Sequence, residues 1–327
     1  MKRCGNLMEP IADMDNLRES FLLAAKGKGM NHETIRFRED LESELLHIHT
    51  SLLEGSYRFG DYRFFKIYDP KERLICAAPF RERVVFHAMM RICHHVFERF
   101  QVSCSYASRK GMGTCKALEK ACELSRKYKW YVKLDVCKFF DSIHHECMKR
   151  MLERLFKDKL LLTYFDALID SYEASEGRGL PIGNLTSQYF ANHYMALADH
   201  YAKEHLRQPA MVRYMDDVVF WGNDKQQLKQ QAVDYYRFVE QTLRLKMHPL
   251  SLNRTDRGLS FLGYVVRPDR MTLNQRSRSR YRHRLAKLNG WLTEGRITED
   301  EYLTRAQSML SFVEKADSMP FRKKIAV

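Results

Sequence analysis

The sequence lacks any apolar run of about 18 residues, the length that a membrane-spanning helix needs. It also lacks an apolar segment behind Lys2 and Arg3, so the N-terminus does not resemble a secretion signal. We therefore expect a protein that does not enter a membrane and that works in the cytoplasm.

The eight cysteines include no Cys-x-x-Cys pair, and none of them lies beyond residue 147. Such scattered cysteines favour reduced thiols packed as small apolar side chains over a disulfide framework. The segment "CHH" at 93–95 has no second pair of ligands at zinc-finger spacing. We expect it to be a packing element rather than a zinc site.

Acidic residues are few relative to basic ones. The chain has 41 Asp and Glu against 55 Lys and Arg, a net charge of +14. This excess predicts a polyanionic partner, with nucleic acid ahead of an anionic membrane surface. The 327 residues, 45% of them hydrophobic, suffice for a large core with two or three subdomains.

The hydrophobic periodicity predicts a mixture of helices and short strands. Helices are expected over 31–54, 80–100, 146–171, 186–206 and 225–246. Strands are expected between 57 and 79, over 129–136 and over 259–266, with a hairpin at 211–221. A capping box at Thr298–Glu301 predicts a last helix through Ala316.

Two adjacent carboxylates interrupt an apolar stretch, "MVRYMDDVVFWG" at 211–222. A solvated turn is the common fate of such a pair, but the apolar flanks favour a buried hairpin. Asp135 ends another short strand, and if the two strands are neighbours it meets Asp216. Converging carboxylates repel each other, and Mg²⁺ would relieve that repulsion while binding substrate phosphates.

Several segments resemble the reverse transcriptases. "YMDD" at 214–217 resembles their signature hairpin, and "LDVCKFFDSI" at 134–143 resembles the motif with the first metal-binding aspartate. "GLPIGNLTSQYFAN" at 179–192 is similar to the segment under the incoming nucleotide. "KERLICAAPFRERVVFHAM" at 71–89 resembles the fingers motif, and "FLGY" at 261–264 the primer grip. Together these segments cover most of residues 57–266.

The resemblance implies an α+β right-hand polymerase with fingers, an antiparallel palm and a small helical thumb. The N-terminal helices and fingers would span 1–130, the palm 131–266 with helices interleaved over 146–205, and a basic thumb 267–327. It further implies an RNA-directed DNA polymerase that joins dNTPs to a primer. Asp135, Asp216 and Asp217 would be its catalytic residues and its ligands for two Mg²⁺ ions.

One departure from the usual pattern points to a subgroup. Most reverse transcriptases have Gln-Gly and Ser-Pro where this chain has Ile182-Gly183 and Ser187-Gln188. That variant, with "SRKGMGTCKAL" at 108–118 and "SMLSFVEKADSM" at 308–319, is similar to the enzymes of diversity-generating retroelements. Those enzymes copy a template-repeat RNA into cDNA with errors opposite adenines, helped by a small basic accessory protein.

The resemblance also implies further contacts. Arg73, with Lys66 or Lys71, would hold the triphosphate, since guanidinium binds phosphate bidentately. Phe140 would exclude a ribose 2′-hydroxyl and so select dNTPs, or else pack in the core as Phe139 is expected to do. The expected nucleotide-binding set is completed by Ile182, Gly183 and Gln188. Ile182 would reduce fidelity because it offers no hydrogen bond to the nascent pair, or would merely pack.

Two basic features are expected at the nucleic acid. Arg276, Arg280 and Arg284 fall on one helix face and, with Gly263 of "FLGY", are expected to contact the template–primer duplex. The same arginines could instead be a solubilising surface. For the general acid that protonates pyrophosphate, three candidates remain open: Lys246, His248 and Arg254. Leu250 occupies the position where a Lys was expected.

Two alternatives are set against this reading. One is another bacterial reverse transcriptase, of retron or group II intron type. The "IGNLTSQ" loop counts against both types, and no maturase extension follows the short thumb. The other is a non-catalytic RNA-binding protein on a polymerase fold, which the three aspartates disfavour.

Overall fold

The computed structural model describes residues 2–29, 31–68 and 72–323. Its helices and strands follow the chain in a mixed order. The first half contains α1 Met8–Ala12, α2 Met14–Ala25, α3 His32–Glu39, α4 Leu41–Glu54, β1 Arg63–Tyr68, β2 Glu72–Ala77, α5 Phe80–Phe100, α6 Thr114–Lys127, β3 Trp130–Leu134, α7 Phe139–Ser142, α8 His145–Leu155 and α9 Lys159–Asp170.

The second half contains α10 Leu185–His200, a π-helical turn Tyr201–His205, β4 Met211–Tyr214, β5 Asp217–Gly222, α11 Lys225–Thr242, β6 Ser251–Arg254, a 3₁₀ turn Thr255–Arg257, β7 Leu259–Phe261, β8 Tyr264–Val266, β9 Met271–Leu273, α12 Gln275–Thr293, α13 Glu299–Glu314 and α14 Met319–Lys323.

Three antiparallel sheets organise the described strands. The central sheet has the order β4-β5-β3-β6, so the predicted hairpin lies beside the strand that precedes Asp135. A separate ribbon joins β1 to β2, and a three-stranded sheet has the order β7-β8-β9. The mixture of helices and antiparallel sheets agrees with the expected α+β class.

The central sheet separates two buried apolar clusters, because side chains alternate between its faces. Along β5, Val218 and Phe220 belong to the larger cluster, which is formed mainly with the helices before and after the sheet. Val219 and Trp221 belong to the smaller cluster, with α6, β7–β9 and the C-terminal helices. Both faces of the sheet are therefore covered, which explains why β5 is almost wholly apolar.

Several predicted elements are observed with their predicted limits. The helix predicted over 80–100 is α5, and the hairpin predicted at 211–221 is β4–β5. The capping box at the start of α13 is present: the Thr298 hydroxyl accepts from the Glu301 N–H, and the Glu301 carboxylate accepts from the Thr298 N–H. These are local signals, and the local sequence suffices to produce them.

Three predicted helices differ from the observed ones. The helix predicted over 31–54 is broken at Asp40, whose φ of −120° and ψ of 37° lie outside the helical region, so α3 and α4 are separate helices. The helix predicted over 146–171 is broken because Asp158 caps α9 and also accepts from the Leu7 N–H at 3.0 Å. The helix predicted over 225–246 ends at Thr242, and Arg244 takes a left-handed conformation with φ 54°.

The single strand predicted over 259–266 is wrong. The segment is a hairpin, β7–β8, that turns at Leu262 and Gly263, both with positive φ. Gly263 lies so close to the C-terminal helices that an added Cβ would come within 3.1 Å of the Phe312 ring. The sequence analysis also missed α1, α2, α6, α7, α14, β6 and β9. No helix within the described ranges is long and apolar enough to cross a membrane.

Candidate active site

The β4–β5 hairpin presents the first carboxylate at its tip. Tyr214 pairs with Asp217, so Met215 and Asp216 form a two-residue turn. Met215 has φ 55°, a left-handed conformation that costs a non-glycine residue about 1 kcal/mol or more. The turn is therefore held by its surroundings, and Asp216 and Asp217 are only partly exposed. A solvated turn, the alternative considered above, does not describe them.

The neighbouring strand β3 brings Asp135 to the same place. Leu134 pairs with Val218, so Asp135 follows one step later and lies level with Asp217. Strand alternation puts Asp135 on the same face as Tyr131 and Lys133. The structure thus gathers Asp135, Asp216 and Asp217 at one end of the central sheet.

The electrostatics of the site follow from this gathering. Burial and, after it, the negative charge of Asp135 together raise the pKa of Asp216 to about 6, against the opposing charges of Arg73 and Lys133. Burial also raises the pKa of Asp217 to about 6, with Lys133 opposing, and Asp135 and Asp216 contributing repulsion. The protein alone therefore leaves the negative charge here only partly compensated.

Lys133 is the counter-charge that the sequence analysis missed. Its Nζ donates to Asp217 Oδ2 at 3.0 Å and to the Ser260 carbonyl at 3.1 Å. The ammonium therefore connects a carboxylate of the hairpin to β7. A lysine amid the apolar residues of β3 was the available signal, because such a side chain needs a partner when the strand is covered on both faces.

The carboxylates fit a site for divalent metal ions in which phosphate oxygens of a substrate supply the remaining ligands. Within the described residues, no three His, Cys, Asp or Glu side chains are grouped so that they alone could hold a metal ion. Asp217 Oδ1 is nevertheless buried without a hydrogen-bond partner. Mg²⁺ is commonly bound by one or two carboxylates plus phosphate oxygens, so an incomplete set of carboxylates is compatible with that ion.

A fully buried ion pair between Arg213 and Asp199 stabilises the hairpin turn. Arg213 precedes the hairpin turn, and its guanidinium binds both carboxylate oxygens of Asp199, with Nε contacts of 2.8 and 2.7 Å. Its Nη1 donates to the Met215 carbonyl at 3.0 Å and to Asn192 Oδ1 at 2.8 Å. Its Nη2 donates to Ser105 Oγ at 2.8 Å. Arg213 therefore connects the strained turn to α10 and to the segment before α6.

The two-stranded ribbon of β1 and β2, called the fingers ribbon from here on, brings a second cation to the carboxylates. Arg73 on β2 is exposed, yet its charge lowers the pKa of Asp216, so the guanidinium lies within electrostatic reach of the hairpin tip. Lys66 on β1 forms a salt bridge with Glu72 at 2.6 Å. Lys71 lies outside the described residues. Arg73 is therefore the basic residue of this group that the structure connects with the carboxylates.

The loop before α10 contacts the fingers ribbon through main-chain atoms. The Cys76 N–H donates to the Ile182 carbonyl at 2.8 Å. Gly183 has φ 121°, and an added Cβ would lie 3.1 Å from the Cys76 carbonyl oxygen, so glycine is required there. Gln188 is exposed and accepts from the Ser108 hydroxyl at 3.1 Å.

Phe140 and Ile182 differ in how they pack. Phe140 is half-buried against the larger apolar cluster and makes an edge contact with the buried Phe139. Ile182 is also half-buried, but among the described residues it belongs to neither cluster and is not one of the apolar residues packed against them. The proposed role of Phe140 in sugar selection stays a prediction.

The three candidates for the general acid lie at different distances from Asp135. The Cys137 N–H donates to the Lys246 carbonyl and the His248 N–H to the Asp135 carbonyl, both at 2.8 Å. Arg254 instead pairs with Trp130 at the opposite end of β3, roughly 17 Å away at about 3.4 Å per residue. Arg254 also forms a salt bridge with Asp256. The geometry favours Lys246 and His248 over Arg254.

The predicted arginine ridge lies on α12. Arg276 and Arg284 are exposed, and Arg280 is half-buried. Arg280 and Arg284 both interact with other groups of the chain. Contact of this ridge and of Gly263 with a template–primer duplex stays a prediction.

The antiparallel palm, its carboxylates and its flanking helices define a right-hand polymerase fold. A structure of telomerase from Candida albicans in complex with a TWJ fragment of telomeric RNA is similar in fold, with a TM-score of 0.50 and 12% identity. The similarity covers 79% of this chain and 54% of that one.

Residues 69–266 match the family described as reverse transcriptase (RNA-dependent DNA polymerase), and the chain belongs to that family. Among curated relatives, the putative COX1/OXI3 intron 1 protein of Saccharomyces cerevisiae is 26% identical over 161 residues, 46% of this chain. Protein YkfC of Escherichia coli is 24% identical over 226 residues, 63% of this chain. The chain spans only 19% of the former protein and 56% of the latter.

The buried ion pair between Arg213 and Asp199 leads to a prediction about the stability of the fold. Asp199→Asn leaves the Arg213 charge buried without its counter-ion, so we expect the free energy of unfolding to fall by about 3–5 kcal/mol. Urea denaturation measures it. The control is Asp256→Asn, which weakens a half-exposed pair with Arg254 and should leave the free energy of unfolding nearly unchanged. Equal losses in the two variants would contradict the assignment.

The carboxylate repulsion makes a prediction about pH. Because the folded-state pKa of Asp216 is raised to about 6, its contribution to stability is lost as pH rises through about 6. Without divalent cations, Asp216→Asn should therefore be more stable than the parent chain at about pH 8, by roughly 1–2 kcal/mol. The difference should shrink towards about pH 4, as urea midpoints will report. The exposed Asp61→Asn is the control, and equal stabilities at the higher pH would contradict the prediction.

Proposed function

We propose that this protein is an RNA-directed DNA polymerase that extends a primer with dNTPs. The observation that carries the proposal is the gathering of Asp135, Asp216 and Asp217 beside Arg73 in the palm of a reverse transcriptase family member. The net charge of +14 suits an RNA template and an RNA/cDNA duplex as partners.

The residues divide the work of nucleotidyl transfer between them. Asp135, Asp216 and Asp217 would hold divalent cations, two Mg²⁺ ions in this proposal, and Lys133 would keep Asp217 in place. Bound there, the cations would supply charge that stabilises the attacking and leaving oxygens at the α-phosphate. Arg73 would bind the triphosphate as a dNTP approaches the primer 3′-hydroxyl. Phe140 would form the part of the sugar pocket that excludes a ribose 2′-hydroxyl.

Primer extension on an RNA template tests the activity. Asp135→Asn and Asp216→Asn each remove a metal-binding charge, so each should slow extension by roughly a thousandfold or more. Asp61→Asn lies on an exposed loop and should extend at the parent rate. A parent chain that binds RNA but extends no primer would favour the non-catalytic alternative, and unimpaired aspartate variants would refute the assigned site.

The narrower proposal is a reverse transcriptase of a diversity-generating retroelement. It would copy a template-repeat RNA with errors opposite adenines, assisted by a small basic accessory protein. Support comes from the sequence of the "IGNLTSQ" loop and from the position of Ile182, whose carbonyl contacts β2 while its side chain lies outside both apolar clusters.

The fidelity of the Ile182→Gln variant tests this proposal. Glutamine adds hydrogen-bonding groups near the nascent pair, so misincorporation opposite template adenines should fall by roughly three- to tenfold. Ile182→Leu keeps an apolar side chain of the same size and should retain the parent error spectrum. Sequencing of the cDNA measures both. An unchanged spectrum in Ile182→Gln would remove Ile182 from the account of infidelity.

A reverse transcriptase of intron type is the second candidate. It is favoured by the similarity to the yeast intron protein named above, which covers 46% of this chain. The error spectrum of the parent chain separates the two: errors concentrated opposite adenines favour the retroelement enzyme, and errors spread over all four template bases favour the intron type.

A further inference from the structure

His145 is a buried titratable side chain that the proposed transfer chemistry does not use. It begins α8, and its exposed fraction is 3%. Its Nε2 lies 2.8 Å from the Gly179 carbonyl oxygen, and its Nδ1 lies 3.3 Å from Asp170 Oδ1. Because a carbonyl oxygen only accepts hydrogen bonds, Nε2 is the donor to Gly179. The imidazole therefore connects α8 to the segment that leads to Ile182.

That segment, residues 177–183 and called the glycine loop from here on, has little conformational preference of its own. Gly177, Gly179 and Gly183 have φ values of 63°, 126° and 121°, which glycine adopts far more readily than other residues. Gly179 is also closely packed, since an added Cβ would lie 2.8 Å from the Ala174 nitrogen. A segment so rich in glycine depends on outside contacts to keep one conformation.

Main-chain hydrogen bonds attach the first half of the glycine loop to the segment around α7. Three of them, each 2.9 Å long, run from the N–H groups of His145, Gly179 and Leu180 to the carbonyls of Gly177, Ile143 and Phe140, respectively. The Gly179 carbonyl is buried and accepts from the imidazole instead. A buried carbonyl without a donor costs free energy, so the imidazole fixes the peptide group that joins Gly179 to Leu180.

The second half of the glycine loop contacts the fingers ribbon. The Ile182 carbonyl accepts from the Cys76 N–H at 2.8 Å, and Gly183 lies against the Cys76 carbonyl. Two residues, the second of them Pro181, separate Gly179 from Ile182. Because proline fixes its own φ, this connection is stiff. A displacement of Gly179 is therefore transmitted to Ile182.

The opposite edge of the imidazole contacts Asp170 at the end of α9. One carboxylate oxygen of Asp170 lies near Nδ1 at 3.3 Å, and the other accepts from Lys149 Nζ at 2.7 Å. The contact that one ring nitrogen makes decides what the other nitrogen can bind. Asp170 thus holds the ring in the orientation in which Nε2 donates to Gly179.

We propose that His145 is a positioning residue, which sets the place of Ile182 and of the loop beside Phe140 by binding the Gly179 carbonyl. Its consequence for copying rests on the proposed polymerase function. Reacting groups must be held within a fraction of an ångström, so a donor that fixes this peptide group contributes to accuracy without touching substrate. A side chain that only filled space could be replaced by an apolar one, whereas a donor to a buried carbonyl could not.

Hydrogen exchange of the full chain, measured by mass spectrometry without primer or nucleotide, tests the contact directly. His145→Leu removes the donor, and His145→Asn carries an amide only as far as the Nδ1 position. Both variants should speed exchange of the Gly179 and Leu180 amides by about tenfold or more. His145→Gln carries an amide N–H to the Nε2 position and should stay within about threefold of the parent chain.

The control for these variants is a second histidine that bonds elsewhere. His95 is exposed on α5, and its Nδ1 contacts the Ile92 carbonyl of the same helix, so His95→Asn should leave exchange in the glycine loop unchanged. Urea denaturation corrects each rate for changes in global stability. Parent-like exchange in a folded His145→Leu, or equal exchange in His145→Asn and His145→Gln, overturns the proposal. If His145→Leu does not fold, the comparison of the other two decides.

Primer extension on an RNA template measures what the position of the glycine loop does. His145→Asn should raise both the KM for dNTP and the misincorporation frequency, each by about threefold or more, and His145→Gln should restore both to within about twofold of the parent values. Template–primer affinity should not change. A general folding defect would instead reduce the active fraction, and with it the apparent kcat, at unaltered KM and error frequency.

The two experiments separate this inference from the polymerase proposal. If the parent chain extends no primer but the exchange rates change as expected, the polymerase proposal fails while the positioning of the glycine loop by His145 stands. If the parent chain extends primers and a folded His145→Asn has faster exchange but the parent KM and error frequency, the role of His145 in copying is overturned while the polymerase proposal stands.

Discussion

The site depends on the buried ion pair between Arg213 and Asp199. Isolated in the core, either charge would be severely destabilising, so the two must fold together. Their union fixes α10 against β4, and the remaining guanidinium hydrogens fix the Met215 carbonyl in a turn that a non-glycine residue would not adopt alone. The position of Asp216 is thus a consequence of a contact made beneath the hairpin. Positional accuracy of this kind is what a reactive site requires.

The carboxylates at the tip of the hairpin, which this ion pair holds in place, repel one another. Burial and mutual repulsion raise the pKa of Asp216 and of Asp217, and the two cations that relieve this repulsion come from different parts of the fold. Lys133 connects Asp217 to the β7–β8 hairpin, and Arg73 brings the charge of the fingers ribbon to Asp216. The central sheet, the β1–β2 ribbon and the β7–β8 hairpin are therefore connected through the same small set of charges.

Sequence reasoning succeeded where the signal is local and failed where it is tertiary. The hairpin, α5 and the capping box at Thr298 follow from alternation, periodicity and capping chemistry, and the α+β class follows from the family resemblance. The break before α9 could not be foreseen, because it depends on Asp158 binding a main-chain N–H near the N-terminus. In the sequence, Arg213 and Lys133 look like ordinary basic residues of a strand. Their roles could not be predicted because their partners, Asp199 and Ser260, come close only in the folded protein.

The hydrogen bond between Cys76 and Ile182 uses main-chain atoms alone, so it does not depend on the side chain at position 182. Any residue except proline at position 76, and any residue at all at position 182, could preserve that hydrogen bond. The neighbouring Gly183 has no such latitude, because backbone atoms occupy the space that a side chain would need. The side chain at position 182 can thus change between apolar and polar types while the main-chain contact between this loop and β2 is kept.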